Sequence, residues 1–382
     1  MASNGSRSSP TAGRRVVVFG SYAPSLFNFR GPLIAEMVRR GHEVFALAPE
    51  IDEDSARKVR SLGATPIEVP LGRTSLNPFA GAVTLREVRA AFRRLKPDVV
   101  IAYTIKPILI GGAACKAEKV RTFVPLVTGL GYAFTGGREA KRRVSRFLGT
   151  TLYRRAFRTS KLAIFQNPDD LADFRRLRLL PPRLPTGLVN GSGVDMERFA
   201  RVPLPEGPSF LMIARFLKDK GIREFGAAAA RLKREFPAVR ISLVGWIDTS
   251  PDSIGQADLD RLIADGIEYL GEQKDVRPAI AAHSVYVLPS YREGTPRSVL
   301  EAMSMGRPVI TSDAPGCRQT VVEGENGFLV PVKDADALYR AMRRFVEEPA
   351  LIAPMGEAAH RIVADRFDVH KVNETLLGHI GL

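Results

Sequence analysis

Apolar and polar positions in the first half of the chain fall into short, wholly apolar runs and longer stretches with helical periodicity. A loop follows the first apolar run and continues to Arg30, and the helical stretch Pro32–Arg40 then ends at Gly41. A second helical pattern covers Leu85–Leu95. Runs that are apolar throughout and alternate with helices indicate parallel strands covered on both faces of a sheet. The predicted strands are Arg15–Gly20, Glu43–Ala48, Pro66–Val69, Asp98–Tyr103, Thr122–Thr128 and Lys161–Gln166.

The same pattern restarts after residues 191–208, a proline-containing stretch with little periodicity that we interpret as a linker. Helical patterns in this second half cover Ile222–Phe236 and Arg297–Met305. The predicted strands are Ser209–Ile213, Val239–Val244, Ile267–Leu270, Val285–Pro289, Pro308–Thr311 and Gly327–Val330. The second half therefore predicts a second parallel sheet.

The predicted fold is α/β, with two doubly wound, Rossmann-like domains that face each other across a cleft. We expect a disordered tail at residues 1–14, an N-terminal domain at 15–190 and a C-terminal domain at 191–360. Residues 361–382 are expected to form a helix that crosses back to the N-terminal domain. Ligands of such sheets bind outside the carboxyl ends of the strands, so the cleft is the expected active site.

Composition narrows the class of protein but does not indicate its chemistry. The 382 residues are 45% hydrophobic and 25% charged, as in ordinary globular proteins, and no apolar run is long enough to cross a membrane. Cys115 and Cys317 lie far apart and indicate neither a disulfide framework nor a metal cluster, which favours a reducing, cytoplasmic compartment. The first 14 residues lack the apolar centre of a secretory signal.

Positive charge is concentrated in the first half of the chain. Residues 1–190 contain 32 Lys and Arg against 14 Asp and Glu, whereas residues 191–382 have a net charge of −3. Nine basic residues and one acidic residue fall within Arg138–Lys161, among apolar side chains, and a second basic run follows at Phe174–Leu180. Basic amphipathic helices bind anionic membranes, so we expect this half to rest on the inner face of the cell membrane. A soluble helix with a charged face is the alternative.

The segment after the predicted strand Val285–Pro289 carries the clearest chemical signal. Thr295 is a good helix N-cap and Pro296 suits the first helical position, so free backbone N–H groups there can bind a phosphate. Glu293 precedes this helix, and Glu301 lies in its second turn among apolar residues, where a ribose would satisfy the carboxylate. The alternative is a capped helix with one surface glutamate.

Arg215 and Lys220 follow the first strand of the second half, directly before a helix. Two cations at this edge can neutralise a diphosphate, and arginine can bind it through two hydrogen bonds. For this pair alone, a solvated charged loop is the alternative. Because the two cations, Glu293 and Glu301 fall on the same edge of the same predicted sheet, we interpret the four as one binding site.

These four residues resemble the donor site of a known family. Glu293 and Glu301, with seven residues between them, resemble the E-x7-E motif of retaining GT-B glycosyltransferases of family 4. Arg215 and Lys220 match the Arg and Lys with which that family binds the donor diphosphate. The resemblance extends over nearly the whole chain, and together these motifs are specific.

Two further segments resemble the same family. Gly191–Asp195 is similar to its interdomain N-G-V-D segment, with Ser192 and Gly193 as a small departure. Residues 271–276, with Gly271-Glu272 and Asp275-Val276, resemble a family stretch near the nucleotide base.

The resemblance implies a GT-B fold and a transfer that retains anomeric configuration. Glu301 would bind the ribose, and Glu293 would touch the donor sugar. Arg215 and Lys220 would hold the diphosphate and stabilise the leaving group, whose phosphate would help take the acceptor proton. The residues implied in donor binding are Arg215, Lys220, Glu293, Gly294, Thr295 and Glu301.

No metal or other cofactor would be needed by such an enzyme, because cationic side chains supply the positive charge. Letters of the form D-x-D do occur in the chain, but we interpret all three instances as surface loop or helix positions. They are Asp52/Asp54, Asp258/Asp260 and Asp334/Asp336.

Candidate acceptor residues lie in the loops of the first half. Asn28–Leu33, Lys106-Pro107 and Thr128–Phe134 resemble a subgroup of family 4 that builds bacterial surface glycans. Members of that subgroup transfer N-acetylhexosamines or related sugars from UDP-sugars to undecaprenyl-diphosphate-linked saccharides. A plain loop with a helix cap is the alternative for the first segment. The acceptor-binding residues implied are Asn28, Arg30, Lys106, Gly129 and Tyr132.

Other classes of protein fit parts of this pattern. A UDP-N-acetylhexosamine 2-epimerase would share the two-lobed plan, but the E-x7-E spacing and the basic runs argue against it. A basic nucleic-acid-binding protein would fit the charge, but no known nucleic-acid module is recognisable. Gly129-x-Gly131 lacks the third glycine of a dinucleotide fingerprint, which discounts a dehydrogenase.

Overall fold

The computed structural model describes residues 13–72, 78–129, 140–248, 250 and 252–382. These residues form two parallel β-sheets, each flanked by helices and each with its own hydrophobic core. The predicted α/β class with two doubly wound domains is confirmed. No helix within the described ranges has the length and apolar character needed to span a bilayer.

Seven parallel strands make up the N-terminal sheet. The strands are β1 (Arg15–Phe19), β2 (Glu43–Ala48), β3 (Thr65–Glu68), β4 (Val99–Tyr103), β5 (Thr122–Val127), β6 (Ala163–Phe165) and β7 (Thr186–Leu188). Their order across the sheet is β3-β2-β1-β4-β5-β6-β7. The sequence did not predict β7, which has three residues of which only the central one is fully buried, so no apolar run marks it.

Helices cover both faces of this sheet. They are α1 (Ala23–Asn28), α2 (Gly31–Arg39), α3 (Glu53–Ser61), α4 (Pro78–Leu95), α5 (Ile105–Ala117), α6 (Ala140–Thr159) and α7 (Pro168–Arg176). The prediction of a loop from Ala23 to Arg30 was wrong for α1. Pro24 stands in the first turn, where proline is tolerated, and Leu26 is buried against the sheet, so packing stabilises a short helix there.

Six parallel strands make up the C-terminal sheet. The strands are β8 (Ser209–Ile213), β9 (Arg240–Val244), β10 (Glu268–Tyr269), β11 (Val285–Leu288), β12 (Val309–Ser312) and β13 (Gly327–Val330). Their order is β10-β9-β8-β11-β12-β13. Both sheets therefore reverse their winding between the first and fourth strands, β1 and β4 in one and β8 and β11 in the other. Such a switch point leaves a crevice at the carboxyl ends of the two strands, where ligands bind.

Helices of the second half cover the C-terminal sheet, except for the last one. They are α8 (Ile222–Glu235), α9 (Gln256–Ala264), α10 (Arg277–Ala281), α11 (Arg297–Ser304), α12 (Ala335–Glu347), α13 (Ile352–Arg366) and α14 (Val369–Ile380). Helix α14 packs on the N-terminal domain, where Leu376 and Leu377 share a buried cluster with Val16 and Val18 of β1.

The chain crosses between the domains at two adjacent points. Val194 donates its N–H to Phe367 O at 2.9 Å, and Val369 donates to Val194 O at 3.0 Å. Gly193 has φ of +70°, and a Cβ there would lie 2.6 Å from Val369 Cα. The two crossing strands are therefore packed too closely for any residue but glycine at this position.

Arg307 fastens the first crossing segment to the C-terminal domain. Its side chain is buried, and burial lowers its pKa to about 10. The guanidinium donates to backbone carbonyls of the crossing segment, the end of α10 and the end of α11. These acceptors are Val202, Pro203, Ile280, Ala281, His283 and Met305.

We expect Arg307→Met to lower the free energy of unfolding by about 3 kcal/mol, because several buried carbonyls lose their only charged donor. The matched control is Arg240→Met, which removes a half-exposed ion pair with Glu268 and should cost about 1 kcal/mol or less. Urea denaturation of the purified variants measures both losses. Equal losses in the two variants would contradict the structural role given to Arg307.

Candidate active site

The predicted donor residues meet at the switch point of the C-terminal sheet. Arg215 and Lys220 follow β8, and the loop that carries Glu293 follows β11, its neighbour in the sheet. Gly221, with φ of +73°, makes the close approach possible, since a Cβ there would lie 2.1 Å from Pro289 O. The two loops are thus brought together by backbone packing.

An ion pair joins the two loops. Lys220 Nζ donates to Glu293 Oε1 at 2.5 Å, and both side chains are largely buried. Burial alone would lower the pKa of Lys220, but the attraction of Glu293 outweighs burial and raises it. Lys220 therefore stays protonated throughout the neutral range and supplies a fixed positive charge at the cleft.

The loop after β12 contacts the backbone of Glu293. Glu293 N donates to Pro315 O at 2.9 Å. Gly316 has φ of +78°, and a Cβ there would lie 2.1 Å from Glu293 O. Only glycine allows this approach. The loops after β8, β11 and β12 therefore pack together, and they fix the backbone of Glu293.

Glu301 lies in the second turn of α11, and its carboxylate accepts from Arg297 Nε at 2.8 Å. Burial raises the pKa of Glu301, and the charge of Arg297 opposes that rise. Sequence analysis expected this carboxylate to require a ligand, but Arg297, one helical turn away, already pairs with it. A ribose would share the carboxylate with this arginine.

Arg297 also reaches the N-terminal domain. Its Nη1 contacts Asn28 O, and its guanidinium carbon lies 5.0 Å from the centre of the Phe29 ring. The backbone of the predicted acceptor residue Asn28 is therefore brought next to the predicted ribose-binding carboxylate. Sequence analysis gave Arg297 no role of its own.

Arg215 pairs with a carboxylate other than Glu293. Its Nη1 donates to Asp248 Oδ2 at 2.8 Å, and its side chain is 43% exposed. Asp248 follows β9 and was not predicted as a site residue. The three cations Arg215, Lys220 and Arg297 therefore each have a carboxylate partner. Arg215 is the most exposed of the three, so it keeps N–H donors that can bind an anion.

The predicted N-cap of α11 was wrong. Pro296 is the N-cap residue, with φ of −71° and ψ of 111°, and the helix begins at Arg297. Thr295 Oγ1 instead donates to Gly294 O at 2.8 Å and to Gln166 O at 3.2 Å in the N-terminal domain. The threonine hydroxyl is engaged in an interdomain contact, so it leaves the N–H groups of α11 without a side-chain cap.

Gly294 lies at a close approach of the two domains. Its carbonyl accepts from Asn167 Nδ2 at 2.6 Å, and a Cβ on Gly294 would lie 2.3 Å from Thr128 O. A larger residue would push the domains apart. The N-terminal domain therefore contacts the loop of Glu293 directly.

In the N-terminal domain, Arg30 is buried beside Tyr103, the last residue of β4. Its guanidinium carbon lies 5.0 Å from the ring centre of Tyr103, whose hydroxyl shares a 2.6 Å hydrogen bond with Ser25. Burial lowers the pKa of Arg30 to about 10, and the nearby charge of Arg297 adds to this. Within the described part of the chain, Arg30 Nε has no hydrogen-bond partner.

The other predicted acceptor residues lie at neighbouring strand ends. Lys106, at the start of α5, contacts Gly72 O, and burial lowers its pKa. Gly129 follows β5 with φ of +146°, and among the described residues no atom beyond its chain neighbours lies within 4 Å of the position a Cβ would take. Tyr132 lies outside the described residues.

Sequence analysis missed Thr104, the residue that follows β4 at the N-terminal switch point. It has φ of +66° and ψ of 161°, a region that residues other than glycine rarely adopt. Its Oγ1 donates to Ser21 Oγ at 2.9 Å, which ties the end of β4 to the end of β1. Such strain is common at binding sites, but no sequence pattern marks it.

Comparisons with known proteins agree with this architecture. The family described as glycosyl transferase 4-like domain matches residues 31–191, and the family described as glycosyl transferases group 1 matches residues 207–348. Among solved structures, a sucrose-phosphate synthase from Thermosynechococcus elongatus superposes with a TM-score of 0.80 at 20% identity, over 96% of this chain and 98% of that one. HepE from Anabaena, solved with UDP, has a TM-score of 0.77 at 17% identity, over 96% and 99% of the two chains.

Curated relatives are similar over most of their length. The N,N'-diacetylbacillosaminyl-diphospho-undecaprenol alpha-1,3-N-acetylgalactosaminyltransferase of Campylobacter jejuni is 29% identical over 86% of this chain and 88% of its own. The lipopolysaccharide core biosynthesis glycosyltransferase LpsE of Rhizobium meliloti is 26% identical, over 76% and 78%. The two matching families together span most of the chain, one in each half, and the chain therefore belongs to the GT-B glycosyltransferases with a 4-like N-terminal and a group 1 C-terminal domain.

Proposed function

We propose that this glycosyltransferase moves an N-acetylhexosamine from a UDP-sugar to a lipid-diphosphate-linked saccharide during synthesis of a bacterial surface glycan. The observation that carries the proposal is the meeting of Arg215, Lys220, Glu293 and Glu301 at the switch point of the C-terminal sheet. The name of the Campylobacter relative supports the acceptor class and the sugar, and HepE with bound UDP supports the nucleotide.

The donor lies along the carboxyl ends of β8 and β11. Arg215 and Lys220 neutralise the diphosphate, and the cation Lys220 is held in place by Glu293. Glu301 accepts hydrogen bonds from the ribose hydroxyls while Arg297 compensates its buried charge. Backbone N–H groups at the uncapped start of α11 add donors for phosphate oxygens.

The transfer step retains anomeric configuration. The bond between the anomeric carbon and the diphosphate oxygen breaks, and the acceptor oxygen bonds to the same carbon from the same face. The acceptor proton passes to the departing phosphate oxygen. Arg215 and Lys220 stabilise the negative charge that develops on the leaving diphosphate, and Glu293 touches the donor sugar.

We also propose that the reaction needs no metal, since the two cations at the diphosphate supply the charge that a metal would supply elsewhere. The D-x-D segments have structural roles at two places. Asp52 accepts the N-cap bond of α3 from Ser55 N, and Asp334 accepts that of α12 from Ala337 N.

The acceptor is proposed to bind in the loops of the N-terminal domain that carry Asn28, Arg30, Lys106, Gly129 and Tyr132. Arg30 is buried in the part of the chain that the structure describes, with a ring beneath it and no carboxylate bonded to it. A buried cation that has no bonded carboxylate favours binding of an anionic ligand. The diphosphate of the acceptor is such a ligand.

The N-terminal domain is further proposed to rest on the inner face of the cell membrane. Helix α6 covers most of the basic segment Arg138–Lys161, and Arg154, Arg155 and Arg158 are exposed on it. Exposed cations on one helix add to the affinity for an anionic surface by about 1 kcal/mol each. Such docking would bring the cleft to a membrane-bound acceptor.

Replacing Lys220 or Glu301 by alanine is expected to lower kcat/KM by roughly 100-fold or more, because each replacement removes a charge aimed at the donor. Transfer from a radiolabelled UDP-N-acetylhexosamine measures the loss, and circular dichroism checks the fold. Lys218→Ala is the matched control, since Lys218 is exposed in the same turn. Near-normal turnover of both site variants would contradict the donor assignment.

Flotation with vesicles that contain an anionic lipid tests membrane docking. The protein is expected to float at low salt and to be released as salt rises, because screening weakens surface charge attraction. Replacing Arg155 and Arg158 by glutamine should lower the partition coefficient roughly 30-fold. The same change at Arg344 and Arg361, exposed on α12 and α13, is the control. No flotation at low salt, or equal loss in both variants, would contradict docking through α6.

A further inference from the structure

The loop that carries Glu293 is fastened to the N-terminal domain on both sides of that residue. Arg292 Nη2 contacts carboxylate oxygens of Asp170 and of Asp173, the second at 2.8 Å. On the other side, Gly294 accepts the hydrogen bond from the start of α7 described above. The side chain of Glu293, between these two contacts, points instead to its own domain. Its position therefore depends on how the two domains meet.

Asp170 is the fixed half of the ion pair. Its side chain is fully buried and accepts from Nδ2 of the N-cap residue Asn167 at 2.8 Å. The backbone N of Asp170 in turn donates to Asn167 Oδ1 at 2.7 Å. Burial raises the pKa of Asp170, and Arg292 opposes that rise. A buried carboxylate requires an opposite charge, so Asp170 favours the arrangement in which Arg292 is in place.

The neighbouring residue of α7 holds the supporting loop as well. Asp169 accepts from Arg318 Nη1 at 3.1 Å and from Gln319 Nε2 at 2.7 Å. These two residues belong to the loop after β12, whose Pro315 carbonyl accepts from Glu293 N. One end of α7 thus contacts two of the three loops that fix Glu293, those after β11 and β12.

We propose that Arg292 is a positioning residue, and that its ion pairs with Asp170 and Asp173 couple the closed arrangement of the two domains to the placement of Glu293. When the domains close, Arg292 meets the buried carboxylate and pulls the loop into the position seen here. When they separate, the loop loses its contacts on both sides. Glu293 is then held correctly only while donor and acceptor domains are together, which links transfer to closure. This inference rests on the donor site proposed above.

Asp170→Asn tests the inference without altering a residue that touches the donor. We expect kcat to fall on the order of 30- to 100-fold, since a displacement of about 1 Å at a reacting centre has that effect. Titration calorimetry should show that the Kd for UDP changes by less than about twofold, because the diphosphate cations are untouched. The matched control is Asp258→Asn, which removes one surface ion pair with Arg223 within the C-terminal domain. Its kcat should stay within about twofold of the parent.

A double-mutant cycle separates positioning from a general loss of structure. If Asp170 acts through Glu293, adding Asp170→Asn to Glu293→Gln lowers kcat no further. If the two residues act independently, the fold losses in kcat multiply. Glu293→Gln alone tests the donor site. Full activity of that single variant would overturn the proposed function, while its inactivity together with an unaltered Asp170→Asn would overturn only the positioning role.

Two further variants keep the inference testable if Asp170→Asn does not fold. Asp173→Asn removes the more exposed partner of Arg292, and Arg292→Lys keeps the charge but loses the geometry of the guanidinium. Both are expected to lower kcat more than they raise the Kd for UDP, with Arg292→Lys retaining more activity than Arg292→Ala. Folded variants with unchanged kcat would overturn the inference.

Discussion

The ion pair between Lys220 and Glu293 joins the two loops that flank the switch point of the C-terminal sheet, and the arrangement of the cleft depends on it. At 2.5 Å and with little solvent around it, the pair is stable only while both partners stay in place. Its geometry follows from backbone packing, because glycines at 221 and 316 allow three strand ends to approach closely. The close spacing of the parallel strand ends thus places the charged side chains of the site next to each other.

A second property of the site is that each of its cations pairs with a carboxylate of the protein. Lys220 is bound to Glu293, Arg215 to Asp248 and Arg297 to Glu301. This avoids leaving buried charges unpaired. A diphosphate bound as proposed would share these cations with carboxylates, and it would gain most at Arg215, the most exposed of the three. The pairing also preserves the position of each side chain, so the proposed donor would meet groups that are already oriented.

Local sequence predicted the parts of this structure that depend on local burial. Strands β2, β8 and β13 have the predicted bounds because each is a nearly continuous apolar run. The short, half-exposed β7 carried no such signal, and α1 was missed because its stability comes from packing on the sheet. Both sheets nevertheless follow from the alternation of strands and helices.

In the site, the pattern predicted which residues meet but not what each one contacts. Glu293 and Lys220 were placed on one sheet edge from sequence, and the structure joins them directly. The cap prediction for Thr295 failed because its hydroxyl binds Gln166, 129 residues away in the chain. The contacts of Arg292 with α7 span a similar distance. Contacts of this kind depend on how the two domains pack against each other. No local sequence pattern predicts that packing.

The central claim, a metal-independent UDP site in the C-terminal half, is tested most directly by nucleotide binding to the purified protein. Thermal shift with UDP, GDP, ADP and a panel of UDP-sugars, each with and without a chelator, would show the base selectivity and any need for metal. We expect stabilisation that is selective for UDP and for a UDP-N-acetylhexosamine and that is unchanged by the chelator. Stabilisation by none of these nucleotides, or only without chelator, would contradict that claim.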